Sequence, residues 1–163
     1  MDNRYRKLGG WLLAFLVFRV IAIAVAVNLL RESLEVRTQI EMAGRYYGAG
    51  YMASYYSTIL DGIILIAGNI GIIVLMFKKN ESALGWIKKI FVSITGLDIV
   101  IAIGARLYLS TLVSESLFSS SDVSGIGGAV IGLVLWYQYF VKSRRVAIYF
   151  DENYEETIDV ILD

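Results

Sequence analysis

The stretch from residue 90 to 113 most constrains what this chain can fold into, because it is apolar and long enough to cross a bilayer yet carries two charges. Each Leu, Ile, Val or Phe favours membrane insertion by about 0.3 to 0.6 kcal/mol, whereas Asp98 and Arg106 would each cost about 2.5 to 3.5 kcal/mol at the membrane centre. Insertion of this stretch alone is therefore close to break-even. We expect other parts of the chain to provide partners for Asp98 and Arg106.

The composition indicates one all-α integral membrane unit. Of the 163 residues, 57% are hydrophobic, which is too apolar for a soluble domain of this size. Cysteine and histidine are absent, which excludes disulfides, Cys or His metal sites and imidazole acid–base catalysis. We therefore expect no metal, no cofactor and no nucleic-acid partner. We also expect no enzymatic activity, since the usual nucleophile–base sets are missing.

Four stretches are predicted to cross the membrane as a helix bundle: about residues 8–30, 59–77, 90–113 and 123–141. At 1.5 Å per residue, about twenty helical residues match a hydrocarbon core of about 30 Å. Lys and Arg cluster before the first stretch, between the second and third, and after the fourth. By the positive-inside rule, both termini are predicted to be cytoplasmic.

The segments between and after these spans carry further patterns. Residues 31–58 are too many for a plain loop, and we predict a helical extramembrane connection in which the first helix continues to about Ala43 and breaks at Gly44, Gly48 and Gly50. Residues 114–124 are predicted to form a short outer loop. Residues 1–150 are predicted as the membrane domain, and residues 151–163 as an acidic cytoplasmic tail with helical spacing, either docked on the 78–89 loop or another protein, or solvated.

Polar side chains inside the spans are candidates for a functional site. Counting residues from the cytoplasmic ends places Asp61 at the height of Arg106, and Arg19 near Asp98 and Asn69. We predict two acid–base pairs, Asp61 with Arg106 and Arg19 with Asp98, the second helped by Asn69. The favoured interpretation is that the pairs specify which helices pack together, and the alternative is that they line a proton or ion route.

The fourth span contains closely spaced small residues, including Gly128 and Gly132. Small residues let membrane helices approach one another closely. We expect packing within the chain, with self-association into a homo-oligomer as the alternative.

Two short motifs resemble the ends of a known family. Tyr5-Arg-Lys-Leu-Gly-Gly-Trp-Leu-Leu13 and Trp136-Tyr-Gln-Tyr-Phe-Val-Lys-Ser-Arg-Arg-Val146 are similar to the start and finish of the bacterial family catalogued as domain of unknown function 2569. The resemblance implies four membrane spans and a bacterial inner membrane, and it transfers no activity. The motif residues are Gly9, Gly10, Trp11, Trp136, Tyr139, Phe140, Ser143, Arg144 and Arg145.

Both motifs are predicted to lie at the cytoplasmic interface. Tryptophan anchors there at headgroup level, and basic side chains attract anionic lipid. The sequence thus favours a non-enzymatic membrane component that binds a protein or lipid partner. The alternative function is a small transporter or channel-like protein that uses the intramembrane Asp and Arg residues.

Overall fold

A computed structural model describes residues 8–47, 49–112 and 120–151 of the chain. Within these residues the regular structure is entirely helical, as predicted. In chain order the helices are α1 (Trp11–Glu35), α2 (Arg37–Tyr47), α3 (Ala49–Met76), α4 (Glu81–Leu112), α5 (Ser120–Lys142) and α6 (Arg144–Phe150).

Three stretches of helix are long and apolar enough to cross a membrane: Trp11–Glu35, Tyr55–Met76 and Val123–Lys142. They correspond to the first, second and fourth predicted spans. Large apolar side chains project outward from them, including Leu135, which is 65% exposed, and Ile131, which is 62% exposed. Apolar surface on this scale requires an apolar surrounding, and the chain is accordingly a membrane-compatible helical protein.

Helix α3 lies at the centre of the packing, where it contacts α1, α2 and α4, while α5 packs mainly on α4. Glycines of α3 make these approaches close. A methyl group built on Gly68 would lie 2.5 Å from Cγ2 of Ile94, and one on Gly62 would lie 2.8 Å from Cγ of Leu30. The glycines that bring the helices together are therefore those of α3.

The glycines of the fourth span have a different role from the one expected. Methyl groups built on Gly125, Gly127, Gly128 or Gly132 would have no neighbouring atom within 4 Å. Close packing within the chain at these positions is therefore not observed. Helix α5 packs on α4 much less extensively than α3 does, and these small residues border open space instead of a neighbouring helix.

The first helix ends earlier than predicted. Its break lies at Val36, and α2 continues through Gly44 while α3 already includes Gly50. The cost of glycine in a helix is only about 1 kcal/mol, and a methyl group on Gly44 would lie 2.8 Å from Cγ of Met52. Gly44 thus permits the close approach of α2 and α3. Residue 48 and residues 113–119 lie outside the described residues. The prediction of an outer loop over residues 114–124 is wrong for residues 120–124, which are helical.

Most of the buried core lies at one end of the bundle, which we call the basal end. It is formed by the start of α1, the end of α3, the start of α4, the end of α5, and α6. Fully buried side chains here include Leu12, Phe15, Met76, Val146 and Phe150. Helix α6 was not predicted as an element of the fold. The predicted acidic tail lies outside the described residues from residue 152 onward.

Candidate functional site

A cavity of about 490 Å³ lies between α1 and α5, with α3 and α4 behind it. Its walls are mostly apolar, with Phe18 and Val25 contributed by α1 and Leu133 and Trp136 by α5. Gly128 and Gly132 also line it, which explains why these glycines lack close neighbours. Four polar side chains reach the cavity lining, namely Arg19, Asn69, Thr95 and Asp98.

An aromatic cluster closes the basal end of this cavity. The ring of Phe15 packs edge-to-face against Phe140 at 4.7 Å and against Phe91 at 5.6 Å, and lies 4.9 Å from Trp136. The ring of Trp136 also contacts Phe18 at 6.2 Å. Edge-to-face contacts of this kind add to the stability gained from burial. The cluster therefore fixes the positions of α1, α4 and α5 below the cavity.

Arg19 lies directly above the aromatic cluster. Its Nη1 donates a hydrogen bond to Oδ1 of Asn69, 3.2 Å away. Its Cζ lies 4.9 Å from the ring centroid of Phe15 and 5.1 Å from that of Phe91, both in cation–π contact. The Nε atom is buried without a hydrogen-bond partner. The guanidinium is thus held by neutral groups and retains donor capacity.

Asn69 is held in place from the opposite side. It is 1% exposed, and its Nδ2 donates to the backbone oxygen of Leu65, 2.7 Å away. This hydrogen bond sets the orientation of the amide so that its oxygen is presented to Arg19. Asn69 therefore acts as a rigid support for the guanidinium.

The expected ion pair between Arg19 and Asp98 is not formed, since no such contact joins these two described side chains. The contact between Phe15 and Phe91 shows why. Arg19 is four residues beyond Phe15, whereas Asp98 is seven residues beyond Phe91, so Asp98 lies about 4 to 5 Å higher. The Arg19 side chain also turns back over Phe15, as helical side chains point toward the N-terminus of their helix. This increases its separation from Asp98.

Asp98 faces another acid instead. The carboxyl groups of Asp61 and Asp98 are close enough to interact electrostatically. Two carboxylates at short range repel each other when both are ionised. The Oδ1 atom of Asp61 is buried without a partner. The Arg106 side chain lies outside the described part of the chain, and its pairing with Asp61 stays a prediction.

The two end motifs meet at the basal end. The rings of Trp11 and Trp136 are in T-shaped contact at 6.2 Å. Gly10 precedes α1 with a φ of 56°, a conformation that favours glycine. A methyl group at Gly10 would also lie 3.2 Å from Nη1 of Arg145. The structure therefore brings together residues of both motifs that are separated by most of the chain.

The remaining motif residues surround this contact. Phe140 is buried, Tyr139 packs against Trp136 at 5.9 Å, and Ser143 precedes α6. Gly9 is half-buried and Arg144 is exposed. Sequence reasoning did not identify Phe15 or Phe91 as site residues. The signal for Phe15 was its position one helical turn before Arg19.

No metal centre is apparent in the described ranges, because no group of three or more His, Cys, Asp or Glu side chains there could hold an ion. The site is instead an apolar cavity with one cationic side chain, Arg19, near its base and one acidic side chain, Asp98, on its wall.

Comparison with known proteins gives a family for this chain. The sequence model of the family described as "Protein of unknown function (DUF2569)" matches residues 5–150. That segment includes both end motifs and all six described helices. No curated protein and no solved structure matches the chain.

Proposed function

The chain belongs to the DUF2569 family of proteins of unknown function, and for this member we propose a non-enzymatic role, the binding of a lipid molecule in the cavity between α1 and α5. The single observation that carries the proposal is the cavity itself. Its volume of about 490 Å³ falls within the range of about 300 to 1,000 Å³ that is typical of ligand sites.

The membrane arrangement that goes with this role has four spans, with α4 as the third. Helix α4 contains 32 residues, which corresponds to about 48 Å, and it packs along α3. Lys78, Lys79, Lys88 and Lys89 lie at the basal end, as do Lys142 and Arg144. The positive-inside rule then assigns this end to the cytoplasm and α2 to the opposite side. The family resemblance suggests the bacterial inner membrane.

The position of the cavity favours lipid as the occupant. The helices on either side of it, α1 and α5, expose apolar side chains outside the cavity, such as Val20 and Leu135. In a bilayer these side chains face lipid acyl chains, so an opening between α1 and α5 also faces the acyl chains. An acyl chain can enter from the side without crossing a polar barrier. The polar groups at the back of the cavity would then select the headgroup.

Filling the cavity tests the proposal. In Gly132→Leu a side chain occupies the space where a lipid would bind, and native mass spectrometry of the full-length protein is expected to show loss of bound lipid. Gly127→Leu is the matched control, because Gly127 is on the same helix and equally free of neighbours but does not line the cavity. Equal lipid occupancy in both variants and the unmodified protein would refute lipid binding here.

The contact between Asp61 and Asp98 favours a second candidate, a small transporter that moves protons or ions. Acidic side chains inside membrane spans are the kind of group that proton-linked transporters use. Proton flux into liposomes that is abolished by Asp98→Asn but retained by Glu35→Gln, an exposed acid outside the cavity, would support transport. Absence of proton flux, together with lipid that stays bound to the purified protein, would support the lipid-binding role.

A protein partner that co-purifies in stoichiometric amount, and still does so in Gly132→Leu, would point to a protein-binding role instead.

A further inference from the structure

We propose that the ligand of this cavity is a long-chain fatty acid whose carboxylate binds the guanidinium of Arg19. This inference rests on the proposed lipid-binding function and specifies its ligand. The residues that carry it are Arg19, Asn69, Phe15 and Phe91 at the base of the cavity, together with the apolar walls above them.

The contacts of Arg19 call for an anion. Among the described side chains its partners are the Asn69 amide and the rings of Phe15 and Phe91, all of them uncharged. A guanidinium removed from water is costly unless an anion compensates its charge. A ligand that brings a negative charge to this position would supply that compensation.

The geometry of the free donors fits a carboxylate. Asn69 accepts from Nη1, while Nε is buried without a partner. Because Nε is buried, a ligand in the cavity does not reach it, and Nη2 is the guanidinium nitrogen left without an acceptor among the described side chains. A carboxylate at Nη2 would accept a charge-assisted hydrogen bond, which is stronger than a bond between neutral groups.

The depth of Arg19 favours a fatty acid over a phospholipid headgroup. Arg19 is eight residues beyond Trp11, which corresponds to about 12 Å along α1. Tryptophan side chains such as Trp11 are enriched at headgroup level, where phospholipid phosphates also reside. A phosphate headgroup would have to move about 12 Å into the hydrocarbon region to reach Arg19. A carboxyl group is smaller, and it can enter neutral and ionise on binding.

The length of the cavity matches a single acyl chain. Its lining extends along α1 from Phe18 to Leu29, which corresponds to about 16 Å. This is about half of a hydrocarbon core of about 30 Å, and so about the depth of one leaflet. The chain would run from Arg19 past Gly132 and Gly128 on the α5 side.

A cationic ligand at Asp98 is the competing interpretation, since Asp98 also lines the cavity. Asp98 has another acid, Asp61, as its neighbour, and its own oxygen atoms are not left buried without a hydrogen-bond partner. The guanidinium of Arg19, by contrast, has only uncharged partners among the described side chains. The uncompensated cationic group at the base of the cavity therefore favours an acidic ligand.

Trp136 provides a direct readout, because it lines the cavity and bromine atoms quench tryptophan fluorescence on contact. The full-length protein would carry Trp11→Phe and Trp86→Phe, which leaves Trp136 as its remaining tryptophan out of three. It would be titrated with a dibrominated fatty acid and, separately, with the dibrominated alcohol of the same chain length. We expect saturable quenching by the acid, with the alcohol binding about tenfold or more weakly.

The variants assign this preference to Arg19. Arg19→Gln is expected to remove the difference between acid and alcohol, whereas Lys142→Gln, which changes an exposed basic residue outside the cavity, is expected to keep it. If Arg19→Gln does not fold, the comparison of acid with alcohol in the unmodified cavity still tests whether the ligand must carry a carboxylate. Equal binding of the two would overturn the assignment of a fatty acid.

The outcomes also separate this inference from the proposed function. Equal binding of acid and alcohol that is lost in Gly132→Leu would leave lipid binding in place and remove only the role of Arg19. Quenching that never saturates, or that is the same in Gly132→Leu and Gly127→Leu, would overturn both.

Discussion

The hydroxyl group of Tyr149 donates a hydrogen bond to the backbone oxygen of Met76, 3.0 Å away. Met76 is the last residue of α3, so its carbonyl lacks a partner within the helix. Tyr149 is 3% exposed, and the ammonium group of Lys79 lies 5.5 Å from its ring centroid. This hydrogen bond ties α6 to the end of α3 and helps close the basal end.

Removing the Tyr149 hydroxyl should destabilise the protein. In Tyr149→Phe the buried carbonyl of Met76 loses its partner, which costs about 1 to 3 kcal/mol. Thermal unfolding in detergent measures the loss. Tyr137→Phe is the control, because Tyr137 is exposed on α5. This variant should have the same unfolding temperature as the unmodified protein. Equal unfolding temperatures for the two variants would show that the hydrogen bond contributes nothing.

Stability should also fall at alkaline pH. Burial raises the pKa of Tyr149 above its ordinary value of 10.0, so the folded state favours the neutral phenol. This contribution is complete below pH 10 and is lost as pH rises above it, because the unfolded chain then releases its proton first. The drop in unfolding temperature between about pH 9 and pH 11 should be smaller in Tyr149→Phe. An identical drop would contradict this assignment.

Because α3 and α4 approach closely at Gly68, alanine at this position is expected to destabilise the protein. In Gly68→Ala the new methyl group would lie 2.5 Å from Cγ2 of Ile94, and a β-branched side chain cannot rotate away easily. A loss of about 1 to 3 kcal/mol is expected. Gly71→Ala, on the same helix with its nearest atom at 3.9 Å, should be neutral or stabilising. Unfolding in detergent compares the two, and a stabilised Gly68→Ala would refute the contact.

The support of Arg19 by Asn69 can be tested separately from ligand binding. In Asn69→Leu the new side chain has a similar volume, but the hydrogen-bond acceptor of Arg19 is removed. The guanidinium then contacts only the aromatic rings of Phe15 and Phe91. We expect a loss of about 1.5 to 3 kcal/mol, as for hydrogen bonds to charged groups. The double variant Arg19→Leu with Asn69→Leu should recover part of that loss. Strictly additive effects of the two changes would show that the side chains do not interact.

Local properties of the chain were sufficient to predict its class. The length of each apolar stretch predicts a span because the hydrocarbon thickness is fixed, and α1, α3 and α5 agree with this. The end motifs resemble those of the family, and the match of the family model over residues 5–150 agrees with that resemblance. Asn69 and Arg19 were also correctly placed near each other, since both could be counted from helix ends.

Contacts between helices were not predictable in the same way. The sequence placed Arg19 beside Asp98, but the packing of Phe15 on Phe91 shifts α4 relative to α1 by several residues. Helix α6 is short, and its burial depends on a carbonyl of α3 that is distant in the chain. A cavity likewise belongs to no single segment, because it exists only where α5 diverges from α1.

The amino-acid sequence by itself determined that the chain is helical, which segments are apolar enough for the membrane, and which polar groups they carry. The tertiary structure alone decided which of those groups face one another. The physical reason is that apolarity sums along one helix, whereas the register between helices depends on the fit of particular side chains, such as Ile94 against Gly68. A shift of one helical turn, about 5.4 Å, is enough to exchange an acid for an amide as the partner of Arg19.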